Sequence, residues 1–207
     1  MQDPADDPPT PQRRGRPAKS GAAPLDRERV VAAAVAMTSR AEGQPLTFRA
    51  LGARLGVDPA ALYRYVSSKD ELLLAVADGI IGDALAGVAE TGRWTEDVAT
   101  LLAAVRRGFL DHPEVGVAAA SRITRLPAET ALTESLLRLL EAGGVTGEEA
   151  VVAYRALEDT MLAWTGLSAA VDLSPTAESD REDWRATCLA ADRGRFPRTA
   201  RHAVALT

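Results

Sequence analysis

An all-α fold is predicted for this 207-residue chain, and three observations predict it. Hydrophobic residues make up 46% of the chain but aromatics only 4%, so the apolar content is Ala, Leu and Val, and Ala and Leu are strong helix formers. No run of β-branched and aromatic residues alternates at period two, as a strand would require. Apolar residues instead recur at helical spacing between recognisable caps and Gly or Pro breaks. The pattern divides the chain into a basic, Pro-rich arm at 1–24, a four-helix unit opening within 25–76, and a helical remainder at 77–207.

The arm holds six of the twelve prolines and few large apolar residues, a composition that predicts disorder. Asp26 is placed to cap a first helix running to Arg40, with Leu25 and Val30 as a hydrophobic staple. Gly43 and Pro45 break it. Thr47 caps a short second helix that ends at Leu55, because Gly56 can take the left-handed conformation. Asp58 caps a third helix to Tyr65, with Pro59 at the first helical position, where its missing N–H costs nothing. Ser68 to Glu71 form a capping box opening a fourth helix, Ser68–Ala86. Leu51, Leu55, Val57 and Leu62 pack the second helix on the third, while Gly52 permits a close crossing and Gly56 makes the turn. This is the pattern of a helix-turn-helix, which holds the third helix proud for a DNA major groove.

The charge agrees. The net charge is −5, yet residues 11–75 carry eleven Lys/Arg against six Asp/Glu, while residues 76–207 carry thirteen against twenty. A basic block in one third of an acidic chain is the footprint expected for phosphate. In the arm, Arg13, Arg14 and Arg16 surround a Gly-Arg-Pro core similar to an AT-hook; they suit a narrow minor groove, or serve as a solubilising tail. The single cysteine, Cys188, excludes an internal disulfide and a cysteine zinc site, and with no signal-peptide pattern it points to the cytoplasm. The longest charge-free run, Thr160–Val171, is too short for the roughly 20 residues of a membrane span. Two histidines, no phosphate-cradling Gly-rich loop and no metal-spaced cluster argue against an enzyme, a cofactor or a metal. A protein-interaction module on the same trihelical fold would need neither the basic block nor a row of phosphate donors.

The run Thr47-Phe48-Arg49-Ala50-Leu51-Gly52-Ala53-Arg54-Leu55-Gly56-Val57-Asp58-Pro59-Ala60-Ala61-Leu62-Tyr63-Arg64-Tyr65-Val66, followed by Ser68-Lys69-Asp70-Glu71-Leu72, resembles the signature of the tetracycline-repressor (TetR) family. The resemblance implies a homodimeric DNA-binding regulator, a repressor released from a palindromic double-stranded operator by a small hydrophobic ligand. It implies phosphate contacts from Tyr63, Tyr65 and Lys69, with Thr47 donating at its helix N-terminus. Base reading falls to Arg49, Pro59, Ala60, Ala61 and Arg64. Arg49 and Arg64 are suited to guanine and the two alanines to thymine methyls, with Arg64 equally fitted to a phosphate.

Beyond the fourth helix, helices are expected at 96–111, 114–124, 128–142, 147–171 and 181–191, with a short one after Pro197 and an exposed loop at 172–180. In the 147–171 helix, Val151, Tyr154, Leu157, Met161, Trp164 and Ser168 form a large-residue face. Ala156, Thr160, Ala163, Leu167 and Ala170 form a smaller one, as suits a helix packed between two partners. A ligand cavity is expected among Leu102, Val105, Phe109, Ile123, Leu136, Leu140, Tyr154, Met161 and Trp164, each of which is also a fair core residue. His112 reads as a surface or capping residue. Related proteins run on after a Phe-Pro like Phe196-Pro197 into a further long helix; here either the dimer uses Asp183–Ala191 and the short tail helix, or its bundle is unusual.

Overall fold

The structure, a computed structural model, describes residues 24–206; Arg13, Arg14 and Arg16 lie outside the described residues. The helices are α1 (Arg27–Thr38), α2 (Phe48–Leu55), α3 (Pro59–Leu62), α4 (Lys69–Gly87), α5 (Trp94–Asp111), α6 (Pro113–Ala119), α7 (Pro127–Ala142), α8 (Gly147–Leu173), α9 (Ala177–Leu189) and α10 (Pro197–His202), with no strand among the described residues. The fold is all-α, as the sequence predicts.

The caps act where the sequence puts them. Asp26 accepts from Arg29 N at 2.8 Å, Thr47 Oγ1 from Ala50 N at 3.1 Å, Asp58 from Ala60 N at 2.8 Å and Ser68 Oγ from Glu71 N at 3.0 Å. Each bond satisfies one donor that a helix start leaves without a partner. The capping box differs in one detail: the Glu71 carboxylate reaches back to Ser67, accepting from its N–H at 2.7 Å and its hydroxyl at 2.6 Å. These bonds, the hydroxyl first, hold the Glu71 carboxyl below its ordinary pKa.

Several bounds shift for physical reasons. The first helix stops at Thr38 rather than Arg40. Arg40 N–H donates to Asp111 O at 2.7 Å, and its guanidinium reaches Leu110 O at 2.9 Å and Asp172 at 2.6 Å, so it is drawn to the ends of α5 and α8. The third helix is one turn, after which Tyr65 N–H bonds Leu62 O in the tighter i to i+3 manner. The expected loop at 172–180 is mostly helix: only 174–176 interrupt it, because Glu178 and Asp180 favour an α9 start at Ala177.

One continuous core runs from Val30 of α1 to Met161 of α8. α4 lies in its middle, burying Leu72, Leu73, Val76, Ala77, Ile80 and Ile81, and it crosses residues 76–77 without a break. α6 lies against α8. A Cβ on Gly166 would collide with the Ala120 side chain, and one on Gly116 would come within 3.3 Å of Ala169 Cβ. The close-approach face of α8 is therefore Met161, Thr165, Gly166 and Ala169, not the Ala156–Ala170 set expected from spacing. The outer face leaves Val152, Trp164 and Leu167 each about two-thirds exposed (68%, 68% and 67%). No helix among the described residues is long and apolar enough to cross a membrane.

His112 sits at the α5–α6 junction with Nδ1 3.0 Å from Thr38 Oγ1, tying α1 to the C-terminal helices. Burial lowers its pKa below the usual 6.5, so the unfolded chain holds the proton more tightly than the folded one. This contribution to stability is therefore complete above about pH 6.5 and lost as pH falls from there toward the folded value. Thermal melts between about pH 7.5 and 5.5 should show wild type losing more stability than His112→Gln; parallel curves would remove His112 as the cause.

Candidate nucleic-acid interface

The interface is built on a crossing of two short helices. At the end of α2, Gly56 adopts φ 70°, a left-handed conformation that few other residues take cheaply, and Val57 N–H returns to Gly52 O at 2.9 Å. A Cβ on Gly52 would lie 2.9 Å from Val57 O and 3.2 Å from Pro59 N, so α3 starts against the bare backbone of α2. Leu51 and Leu62 are fully buried behind this contact. Phe48 and Tyr63 meet edge to face with ring centroids 4.6 Å apart, which fixes the Tyr63 ring while leaving the residue 58% exposed.

On the outer surface α3 presents exposed Ala60, with Pro59 and Ala61 half-buried beside it, and the turn that follows presents exposed Tyr63 and Arg64. Arg49 is exposed on α2. Neither Arg49 nor Arg64 forms an ion pair with a described residue, so both guanidiniums are available to a base or a phosphate. Arg54 is not available: both its terminal nitrogens bond Glu42, and that bond raises its pKa further. Thr47 is exposed at the start of α2; its oxygen accepts from Ala50 N, leaving its hydroxyl hydrogen to donate outward.

Two expected phosphate contacts are otherwise engaged. The Tyr65 hydroxyl donates to Leu25 O at 2.6 Å. A phenol has one hydrogen, so Tyr65 pins the chain leading into α1 and is no phosphate donor in this arrangement. Lys69 keeps its place in the first turn of α4, but its ammonium is paired with Glu114 of α6. That pairing, and the neighbouring one between Asp70 and Arg122 at 2.6 Å, were invisible in the sequence because the partners lie 45 and 52 residues apart.

The expected enclosed cavity is reduced to a hollow of about 30 Å³ touching Val105, Phe109 and Met161, room for little more than a water. The larger space is an open cleft of about 660 Å³ between the loop after α6, α7 and α8, where Ile123 and Tyr154 meet Arg122, Glu129 and Glu158. It abuts the hollow through Ala119, Arg122, Glu129, Glu158 and Leu162. Tyr154 OH lies 3.0 Å from Thr133 Oγ1, and burial pushes its pKa up. Leu136 and Leu140 are core residues. Leu102 and Trp164 line a separate outer groove, because α8 buries the stripe Met161–Thr165–Ala169 and Trp164 stands one residue, about 100°, off it. Among the described residues no group of His, Cys, Asp or Glu is placed to hold a metal ion.

Comparison with known proteins follows this geometry closely. A family model described as bacterial regulatory proteins, tetR family, matches residues 30–76, and one described as tetracyclin repressor-like, C-terminal domain, matches residues 86–206. An HTH-type transcriptional regulator of Saccharopolyspora erythraea is 29% identical over 67% of this chain, which spans only 58% of that relative's length. An uncharacterized HTH-type transcriptional regulator of Mycobacterium tuberculosis is 30% identical over 83% of this chain and 81% of its own. Among solved structures, the Streptomyces coelicolor TetR family protein ActR in complex with (S)-DNPA superposes with a TM-score of 0.72 at 25% identity, covering 89% of this chain and 88% of ActR. BioQ with its double-stranded DNA operator superposes with a TM-score of 0.60 at 29% identity, covering 71% of this chain and 89% of BioQ.

The close crossing yields a test. Gly52→Ala should destabilise the fold by about 1–3 kcal/mol, through overpacking, even though alanine is the better helix former. Urea unfolding checks this, and an unchanged midpoint would mean that the crossing relaxes freely.

Proposed function

This chain belongs to the TetR family of bacterial regulators, and we propose that it is a repressor released from a palindromic operator by a small-molecule ligand. It is a DNA-binding transcriptional regulator and not an enzyme. The observation that carries the DNA-reading part is the outward presentation of Ala60 on α3 and of Tyr63 and Arg64 just after it, flanked by Thr47 and Arg49 on the α2 side. On this reading residues 25–76 read DNA, residues 77–207 dimerise and bind the ligand, and the protein acts in the cytoplasm. Tyr63, Thr47 and Lys69 set register on the backbone, while Arg49, Pro59, Ala60, Ala61 and Arg64 face the bases.

The cleft beside α7 and α8 is the proposed ligand site. Its half-buried Tyr154, Glu129 and Glu158 suit hydrogen-bonding groups, and the cleft's own Ala119, Ile123 and Leu162 suit an apolar part. The ligand is then amphipathic, with its hydrophobic portion inward. ActR carries (S)-DNPA and BioQ its DNA operator, which supports both halves of the reading.

Selection from random duplexes followed by footprinting tests the operator. The expected result is a two-fold symmetric site, with Arg49→Ala costing about 1–3 kcal/mol at one base pair of each half. A single asymmetric half-site, or an equal loss on every sequence variant, would overturn the assignment.

The homodimer is proposed through the outer face of α8 with α9, where Val152, Trp164, Leu167, Trp184 and Leu189 are exposed. Exposed aromatic and aliphatic groups on adjacent helices are costly in a free monomer. Trp164→Glu should shift sedimentation from dimer toward monomer while leaving the helical content intact; a dimer unaffected by it would place the interface elsewhere.

A further inference from the structure

We infer that Glu114 of α6 tunes DNA affinity by competing with phosphate for Lys69, an inference that rests on reading Lys69 as a backbone contact. Lys69 is the only lysine among the described residues, and Glu114 holds its ammonium. The same carboxylate turns its other oxygen to Leu46 N–H at 3.4 Å, immediately before the cap of α2. One anion thus lies between the N-terminal ends of α2 and α4. Phosphate on the Thr47 and Lys69 donors would approach from the same two helix starts, where aligned N–H groups favour negative charge. Glu114 is an internal counterpart of that phosphate.

The contact is well suited to exchange. The Lys69 side chain is 45% exposed and that of Glu114 30%, so the pair is screened by water and weak enough for DNA to displace. While the pair persists, Lys69 contributes almost no net charge to the DNA-facing surface. α6 also connects this contact to the rest of the molecule. Its C-terminal Ala119 and the following Ala120 and Arg122 line the large cleft, and Arg122 grips Asp70, the residue next to Lys69. The start of α4 is therefore held from both ends of the α6 segment, by a carboxylate on Lys69 and a guanidinium on Asp70. Movement of α6 along α8 would alter how much of the Lys69 charge the DNA meets.

The test uses the full chain and a mixed-sequence 30-base-pair duplex, with affinity read by fluorescence anisotropy over a potassium chloride series. The variants are Glu114→Gln, Lys69→Ala and the two combined. Gln keeps an acceptor for Leu46 N–H and removes only the charge. Glu114→Gln is expected to bind about three- to tenfold more tightly near 0.1 M salt, and to steepen the slope of log affinity against log salt by about 0.9, one freed phosphate contact. Both effects should vanish in the Lys69→Ala background. A purely structural role for Glu114 would lower affinity and leave the slope unchanged, and that result overturns the inference. So does an equal gain in the Lys69→Ala background, which would reduce Glu114 to general repulsion. If Lys69→Ala weakens binding while Glu114→Gln does nothing, the phosphate contact stands and the competition falls. If Lys69→Ala has no effect, both fall together.

Discussion

The structure depends on the burial of α4 from two sides at once. Leu72, Leu73, Val76, Ile80 and Ile81 are almost wholly removed from water, and together they contribute on the order of 10 kcal/mol of apolar burial. Helices α1, α5, α6 and α7 all pack on α4, so its position is a compromise among them. The N-terminal unit and helices α5 to α7 thus share α4 as a packing partner, and their apolar residues form one continuous core through it. Arg40 and His112 reinforce the coupling at the edge of this core, where polar groups bridge α1 to the junction of α5 and α6.

Local chemistry made the N-terminal unit legible. Caps, staples and Gly breaks act within a few residues, so Asp26, Thr47, Asp58 and Ser68 announced their helices without reference to anything distant. The Gly52 crossing was legible for a related reason: a glycine inside a helix, one turn before a left-handed glycine, has little other purpose. The roles of the exposed residues came from resemblance to a family, not from the physics of the stretch itself.

Long-range pairing was not legible. Tyr65 reads as an outward phenol until Leu25 O is found beneath it, and Lys69 reads as a free cation until Glu114 arrives from α6. The phase of α8 was equally hidden. With Ala, Leu and Val spread all around that helix, spacing could not decide which stripe faces inward. The decision was made by Gly166 and Ala169, which admit α6, and it sent Trp164 outward and left the interior nearly filled. A sequence rich in alanine supplies many surfaces flat enough for close packing, and only the partner helix selects one.

The length of α4 carries a mechanical consequence. Its 19 residues rise roughly 28 Å, at about 1.5 Å each. Pivoted at its C-terminal end, such a rod swings its far end by about 5 Å for a ten-degree tilt, close to half the roughly 12 Å width of a DNA major groove. A repacking near Ile80 and Ile81 that tilted the helix by this much would be geared up into a displacement of that size at its far end, with the rigidity of the helix serving as the transmission.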